Sequence, residues 1–301
     1  MHSRVKIRNL SNTTVWSRPL AWLRSHGKLL HAFAIAVTLI SLSGSDLPAT
    51  ADDRALIVPP PMQSAAVAPI KKVPTPAVPI KGAPEQHVNT WRGARVVKIW
   101  RGNPNSKEVA LTFDDGPHPA QTVRLLDLLR EMNVKATFFV VGKKVDEAPW
   151  VLPRMLAEGH EVANHTYHHI NLDNASEAVV MDEIRLGADS IQRACGVKTL
   201  SFRPPGGHHN ANVLSGAEKM NCRTFLWSDD PADFANPGVE VLEKRLIGKV
   251  TGGALVLLHD GIEQTMDVLP ELITRLRRDG YRFVTVSELA DHLEASGIGK
   301  R

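Results

Sequence analysis

The stretch Val109-Ala110-Leu111-Thr112-Phe113-Asp114-Asp115-Gly116-Pro117-His118 decides how the chain reads, because an apolar run passes straight into two adjacent carboxylates and a turn. Val109 to Phe113 predict a short buried strand, and Gly116-Pro117 end it. One Asp before Gly-Pro is enough to initiate a turn, so the second needs another reason. Like charges side by side repel unless a cation or a proton sits between them. A cation would require further ligands elsewhere in the chain.

His165-Thr166-Tyr167-His168-His169 offers them. His165 and His169 are four residues apart, the spacing that puts two imidazoles on one face of a helical turn. Two neutral imidazoles and one carboxylate, with coordination positions left open, form the ligand set of a hydrolytic metal site. His168 lies off that face and is left out of the set.

The first 90 residues do not read as globular. Residues 1–28 carry Arg4, Lys6, Arg8, Arg18, Arg24 and Lys28 and no acid; an apolar run from Leu29 to Leu42 follows, then Leu47-Pro48-Ala49-Thr50-Ala51. Basic, apolar, then small residues is the order of an export signal, although the long basic region also suits an uncleaved membrane anchor. The apolar core is short for a membrane span. Without residues 1–51, the whole-chain count of 36 basic against 32 acidic residues becomes 30 against 31. The basic excess therefore belongs to the targeting segment and gives no reason to expect a nucleic-acid partner.

Residues 52–90 hold eight prolines among Ala, Val and Lys. Such a segment buries no core and favours extended polyproline conformation, up to about 120 Å when fully stretched. It reads as a disordered linker between the export signal or anchor (1–51) and a catalytic domain (91–301). Only Cys195 and Cys222 occur, and export permits a disulfide. A bridge and two free thiols both stay open.

From residue 91 onward apolar strands alternate with helical patterns. Strands are predicted at Val109–Phe113, Ala136–Val140, Glu161–Ala163, Thr199–Phe202, Thr224–Trp227, Ala254–Leu258 and Arg282–Val286. Helices are predicted at Thr122–Glu131, Trp150–Glu158, Ala175–Ala194, Val239–Lys249 and Met266–Arg278. This alternation implies an α/β fold, a distorted (β/α) barrel of about seven parallel strands with surrounding helices. Active sites of such folds form at the carboxyl ends of the strands. Asp114-Asp115, His165 with His169, Arg203-Pro204-Pro205-Gly206-Gly207, the run Trp227 to Phe234, and His259-Asp260 all follow predicted strands, on one rim.

The ordered segments TFDDGP, HTYHH, RPPGG, WSDDPAD and LLHD resemble the five motifs of the polysaccharide deacetylase family, of the chitooligosaccharide deacetylase (NodB-homology) type. The resemblance spans roughly residues 105–290. It implies that Asp115, His165 and His169 hold a divalent metal, zinc first, with cobalt, nickel or manganese as alternatives, and that Asp114 is the general base. The chemistry is direct: a bound metal lowers the pKa of its water and polarises an acetamide carbonyl, while a free carboxylate takes the proton. It further implies His259 as the general acid, Asp233 as the carboxylate that orients it, and Arg203 as the partner of Asp114. Asp230 is the weaker candidate beside His259.

Substrate contacts are expected from Gly206, Gly207, Trp227, Phe234 and Leu257, the last lining a pocket for the acetyl methyl. Two positions depart from the family pattern. Gly206 stands where many relatives carry an aromatic residue, keeping the backbone N–H that helps hold an oxyanion but losing a side wall. Phe234 replaces a frequent Trp. His208 and His209 are expected to edge the groove, and His118 to lie on the rim. The expected substrate is an acetylated polysaccharide or oligosaccharide of the envelope or the extracellular space, the enzyme being a periplasmic or extracellular hydrolase that acts as a monomer. Two other readings compete: a catalytically silent glycan-binding domain, and an amidase or esterase acting on a non-glycan acyl substrate.

Overall fold

The computed structural model describes residues 98–297. The expected export signal or anchor and the proline-rich linker lie outside the described residues. Strand β2 (Glu108–Gly116) is the axis of the fold, buried at every position but Asp115. It pairs in parallel with β3 (Thr137–Val140) and β7 (Ala254–His259), and its first residues also pair with β8 (Arg282–Phe283). The sheet runs outward from β3 through β4 (Glu161–Asn164), β5 (Ser201–Phe202) and β6 (Arg223–Phe225) to β1 (Lys98–Ile99), all parallel. Isolated bridges from Arg101 to Ala254 and from Asp229 to Val256 bring the far edge back onto β7. The result is an irregularly closed barrel.

Alternation along β2 explains why its sequence is almost wholly apolar. Val109, Leu111 and Phe113 pack outward against Leu125, Leu126 and Leu129 of α1 (Gln121–Glu131) and Leu269 and Leu272 of α7 (Glu263–Arg278). Ala110 faces inward with Phe139, Phe225 and Leu255. A strand covered on both faces needs apolar residues on both. Further along the inner row, Thr112 and Asp114 replace hydrocarbon with polar groups that bond Arg203. The inner layer is therefore apolar around Ala110 and becomes polar toward the carboxyl end of β2.

The remaining helices are α2 (Gly142–Glu147), α3 (Val151–Ala157), α4 (Glu177–Cys195), α5 (Ala211–Lys219), α6 (Val239–Leu246) and α8 (Val286–Ala295). Residues 284–286 depart from the predicted strand. Thr285 accepts from the Glu288 N–H and Glu288 from the Thr285 N–H, a capping box that starts a helix there instead. Val286, Leu289 and Ala290 of α8 join the inner cluster beside Ile99 and Leu255, closing the amino end of the barrel. The predicted strands at 199–202 and 224–227 shrink to Ser201–Phe202 and Arg223–Phe225, which leaves Trp227 in the loop beyond β6. Cys195 and Cys222 are free thiols, and burial pushes the Cys222 thiol up to about 12.

Candidate active site

At the carboxyl end of β2 the ladder slips. Asp114 pairs with Phe139 and Gly116 with Val140, while Asp115 between them adopts φ 70°. Neighbouring strand residues normally point to opposite faces, and this bulge cancels the alternation. Both carboxylates consequently approach one imidazole: His165 Nε2 is 3.6 Å from Asp114 Oδ2 and 3.5 Å from Asp115 Oδ1. Gly116 is fixed by close approach, since an added Cβ would overlap the buried Asp260 carboxylate.

His165 and His169 come together, but not on a helical turn. They sit in a loop after β4 in which Thr166 and His169 take φ of 67° and 57°. Side chains fold this loop in place of helical hydrogen bonds. Asn164 Oδ1 accepts from the Thr166 N–H at 2.9 Å, and Thr166 Oγ1 accepts from the His169 N–H at 3.1 Å. The buried carboxylate of Glu183, on α4, accepts from the Tyr167 and His168 N–H groups at 3.1 and 2.9 Å, and pairs with His168 Nδ1 at 2.7 Å. His168 is thus committed to Glu183.

Lone pairs of three side chains converge at this point. His165 Nδ1 lies 2.7 Å from the Arg203 carbonyl, which only accepts, so Nδ1 carries the proton and Nε2 presents its lone pair to the carboxylates. His169 Nε2 lies 2.9 Å from Asp115 Oδ1, yet that enclosed oxygen accepts no well-aligned hydrogen bond. One donor atom from each of Asp115, His165 and His169 fits within a 4.8 Å span, the one such group among the described residues. Three acceptors converging without protons suit a divalent cation, and the N,N,O set suits zinc and its neighbours. Burial raises the Asp115 carboxyl, but with no cation between them the charge of protonated imidazole outweighs burial and holds the group below the usual carboxylate range.

Arg203 is enclosed completely. Its Nη1 donates to Asp114 Oδ1 at 2.6 Å and to Thr112 Oγ1 at 2.8 Å, its Nη2 to the Leu226 carbonyl at 2.9 Å, and its plane lies 4.0 Å from the Phe139 ring. A buried guanidinium needs these partners, and the bond to Asp114 holds that carboxylate in one direction.

His259 ends β7, in register with Asp114 on β2. Its Nδ1 pairs with Asp233 Oδ1 at 2.7 Å, and its backbone N–H donates to Asp233 Oδ2 at 2.8 Å. Thr265 Oγ1 and the Phe234 N–H complete the bonding of Asp233, at 2.6 and 3.0 Å. Burial lowers the affinity of His259 for a proton, but Asp233 more than offsets it, and the imidazole stays protonated above its ordinary range. Asp230 spends its carboxylate on the Ala232 N–H, in an exposed loop.

The expected substrate residues fall on the same rim. Phe234 is 58% exposed and meets the His259 ring edge-on at 5.6 Å. Leu257 is buried two residues before His259, on the same face of β7. The Trp227 ring packs against Gly207 and lies 5.8 Å from the Arg203 guanidinium. Gly206, at φ 63°, has an N–H with no hydrogen-bond partner among the described residues. Four supporting residues escaped the sequence reading: Thr112, Asn164, Glu183 and Lys144, whose Nζ donates to the Asp115 carbonyl at 2.6 Å. Asn164 directly precedes His165 and was findable; nothing in the sequence singles out Glu183 from other helix acids.

A family model described as polysaccharide deacetylase matches residues 101–225. A peptidoglycan-N-acetylglucosamine deacetylase of Bacillus cereus is 42% identical over 195 residues, covering 63% of this chain and 91% of the relative. The chain belongs to the polysaccharide deacetylase family. These are hydrolases of the carbohydrate esterase type. Among solved structures, the peptidoglycan deacetylase PdaC from Bacillus subtilis is similar at TM-score 0.60 and 35% identity, covering 66% of this chain and 96% of that one. A family 4 carbohydrate esterase described as a pseudoenzyme, from Bacillus anthracis, is similar at TM-score 0.62 and 32% identity, covering 65% and 69%. The deacetylase fold therefore occurs with and without the reaction, and the side chains have to carry the functional argument.

Proposed function

We propose that the chain is an exported, divalent-metal-dependent deacetylase that removes N-acetyl groups from an envelope glycan, peptidoglycan being the first candidate. The observation that supports it is the meeting, on one rim, of a fixed carboxylate (Asp114), a carboxylate-backed imidazole (His259) and the three-donor cluster Asp115, His165 and His169. A divalent ion held by those three would polarise the acetyl carbonyl and acidify a nearby water. Asp114, aimed by Arg203, takes the proton of the attacking water. The unpartnered Gly206 N–H is free to donate to the oxyanion that develops on the acetyl oxygen. His259 enters as imidazolium and gives its proton to the departing amine, Asp233 keeping the ring oriented and charged. Water and acetamide become acetate and a free amino sugar. Residues 1–51 direct export or anchor the chain, and residues 52–90 link that segment to the catalytic domain.

Similarity of the chain to relatives described as peptidoglycan deacetylases supports the substrate class. The deciding assay measures acetate released from peptidoglycan, chitooligosaccharide, poly-N-acetylglucosamine and acetylated xylan, with and without chelator, by wild type and two variants. Asp115→Ala should lose zinc binding, whereas Asp114→Asn should keep the metal and lose on the order of a hundredfold or more in turnover. Acetate release that survives both chelation and Asp114→Asn overturns the mechanism. Binding of glycan with no acetate released by wild type identifies a silent binding domain.

A further inference from the structure

Beyond the reacting centre, the rim holds a His208–Asp173 pair that the chemistry above does not use. Gly206 and Gly207 are consecutive left-handed residues, at φ 63° and 71°, in the short 3-10 turn after Arg203. The His208 ring folds back over this turn. A Cβ built on Gly206 would lie 2.9 Å from His208 Nε2 and 3.0 Å from Cδ2, so the imidazole occupies the space that a side chain at 206 would need. The ring is held there from behind. Asp173 Oδ2 lies 2.8 Å from His208 Nδ1, and Asn210, which caps α5, ties the Asp173 carbonyl at 2.7 Å.

This tether has a chemical consequence. A ring whose Nδ1 faces a carboxylate keeps its proton on that side when neutral, and then presents Nε2 as an acceptor. Among the described residues Nε2 has no hydrogen-bond partner, and neither has the neighbouring Gly206 N–H. An acceptor and a donor therefore stand side by side on an open part of the rim, three residues from Arg203 and its bond to Asp114. A sugar carrying an acetamido group offers the complementary pair, an acetyl oxygen and a nearby hydroxyl.

We propose that His208, aimed by Asp173, is a specificity-determining residue that accepts a hydrogen bond from a glycan hydroxyl close to the acetamido carbon. The proposal rests on the deacetylase reading and extends it: the imidazole restores the wall that glycine at 206 removes, and makes it polar. A ligand with that hydroxyl free is favoured over one in which it is substituted, because the substituted sugar cannot donate and meets the ring.

Steady-state kinetics of the zinc-loaded chain on a chitooligosaccharide test this. His208→Ala and Asp173→Ala should each raise KM about tenfold, the worth of one well-made hydrogen bond plus lost packing, with kcat changed much less. His208→Gln, which retains an acceptor, should recover part of the loss. Direct binding of the same oligosaccharide to Asp114→Asn protein, with and without His208→Ala, gives a readout that needs no turnover. Equal affinity in those two proteins, or a fall in kcat at constant KM, overturns the subsite. Failure of wild type to release acetate overturns the function instead, and the binding comparison still decides the role of His208.

Discussion

Arg203 joins Asp114 to the Asp115–His165–His169 cluster: its Nη1 donates to Asp114 Oδ1 at 2.6 Å while its own carbonyl takes the Nδ1 proton of His165 at 2.7 Å. One enclosed residue thereby sets the direction of a carboxylate and the tautomer of an imidazole. Arg203→Met should cost about 3–5 kcal/mol of stability, because it leaves Asp114 buried without its counter-charge. Denaturant unfolding measures the loss. Arg203→Ala combined with Asp114→Ala should be less damaging than the sum of the two single changes, since no orphan charge remains.

His259 gives a pH signature. Asp233 raises the affinity of the imidazole for its proton, so removing that charge lowers it. A general acid works only while protonated, and activity on the alkaline side therefore falls as pH rises through the His259 pKa. In Asp233→Asn that fall should move to lower pH, with kcat reduced at every pH because the ring loses its orientation. A kcat profile whose alkaline limb stays in place would remove His259 from the acid's role.

Glu183 reaches the site only through backbone. Its carboxylate receives the N–H groups of Tyr167 and His168, between His165 and His169. Glu183→Gln keeps the shape but replaces one acceptor oxygen by a donor, and should weaken zinc affinity about tenfold to a hundredfold, as loss of outer support does in metal sites. Competition against a chromophoric chelator reads this directly. Thermal stability of the metal-free protein should change far less than affinity does.

His160 is buried at the start of β4, accepts from the Ala136 N–H at 3.1 Å, and packs edge-on against Phe138. Burial, helped by the Arg154 charge, pushes its pKa from 6.5 down to about 4. In this window the unfolded chain binds the proton and the folded one does not, so stability is present above about pH 6.5 and lost as pH falls toward 4. The contribution is on the order of 3 kcal/mol. His160→Gln, which cannot titrate, should be less stable than wild type at pH 7 and should close most of that gap at pH 4.

Much of this architecture was legible because period and position coincide. Val109 to Phe113 read as a buried strand because both faces of β2 are covered, and Asp114-Asp115 marked its end because carboxylates have no place in either layer. The order of Arg203, Asp233 and His259 along the chain placed them on one rim. The loop of His165 and His169 misled, since spacing of four residues is helical only where hydrogen bonds make it so; here Asn164, Thr166 and Glu183 supply other partners. Strand Lys98–Ile99 is too short for any period to register. The start of α8 was readable in Thr285 and Glu288 but was outweighed by the β-branched run Val284-Thr285-Val286.

Asp115, Thr166 and His169 all hold left-handed backbone without being glycine. Each such residue costs on the order of 1 kcal/mol, and glycine at the same places would relax the chain. Two of the three, Asp115 and His169, belong to the proposed metal cluster, so backbone strain is concentrated where that cluster forms. The strain at Thr166 is offset locally, because its hydroxyl accepts from the His169 N–H and so braces the second histidine of the cluster.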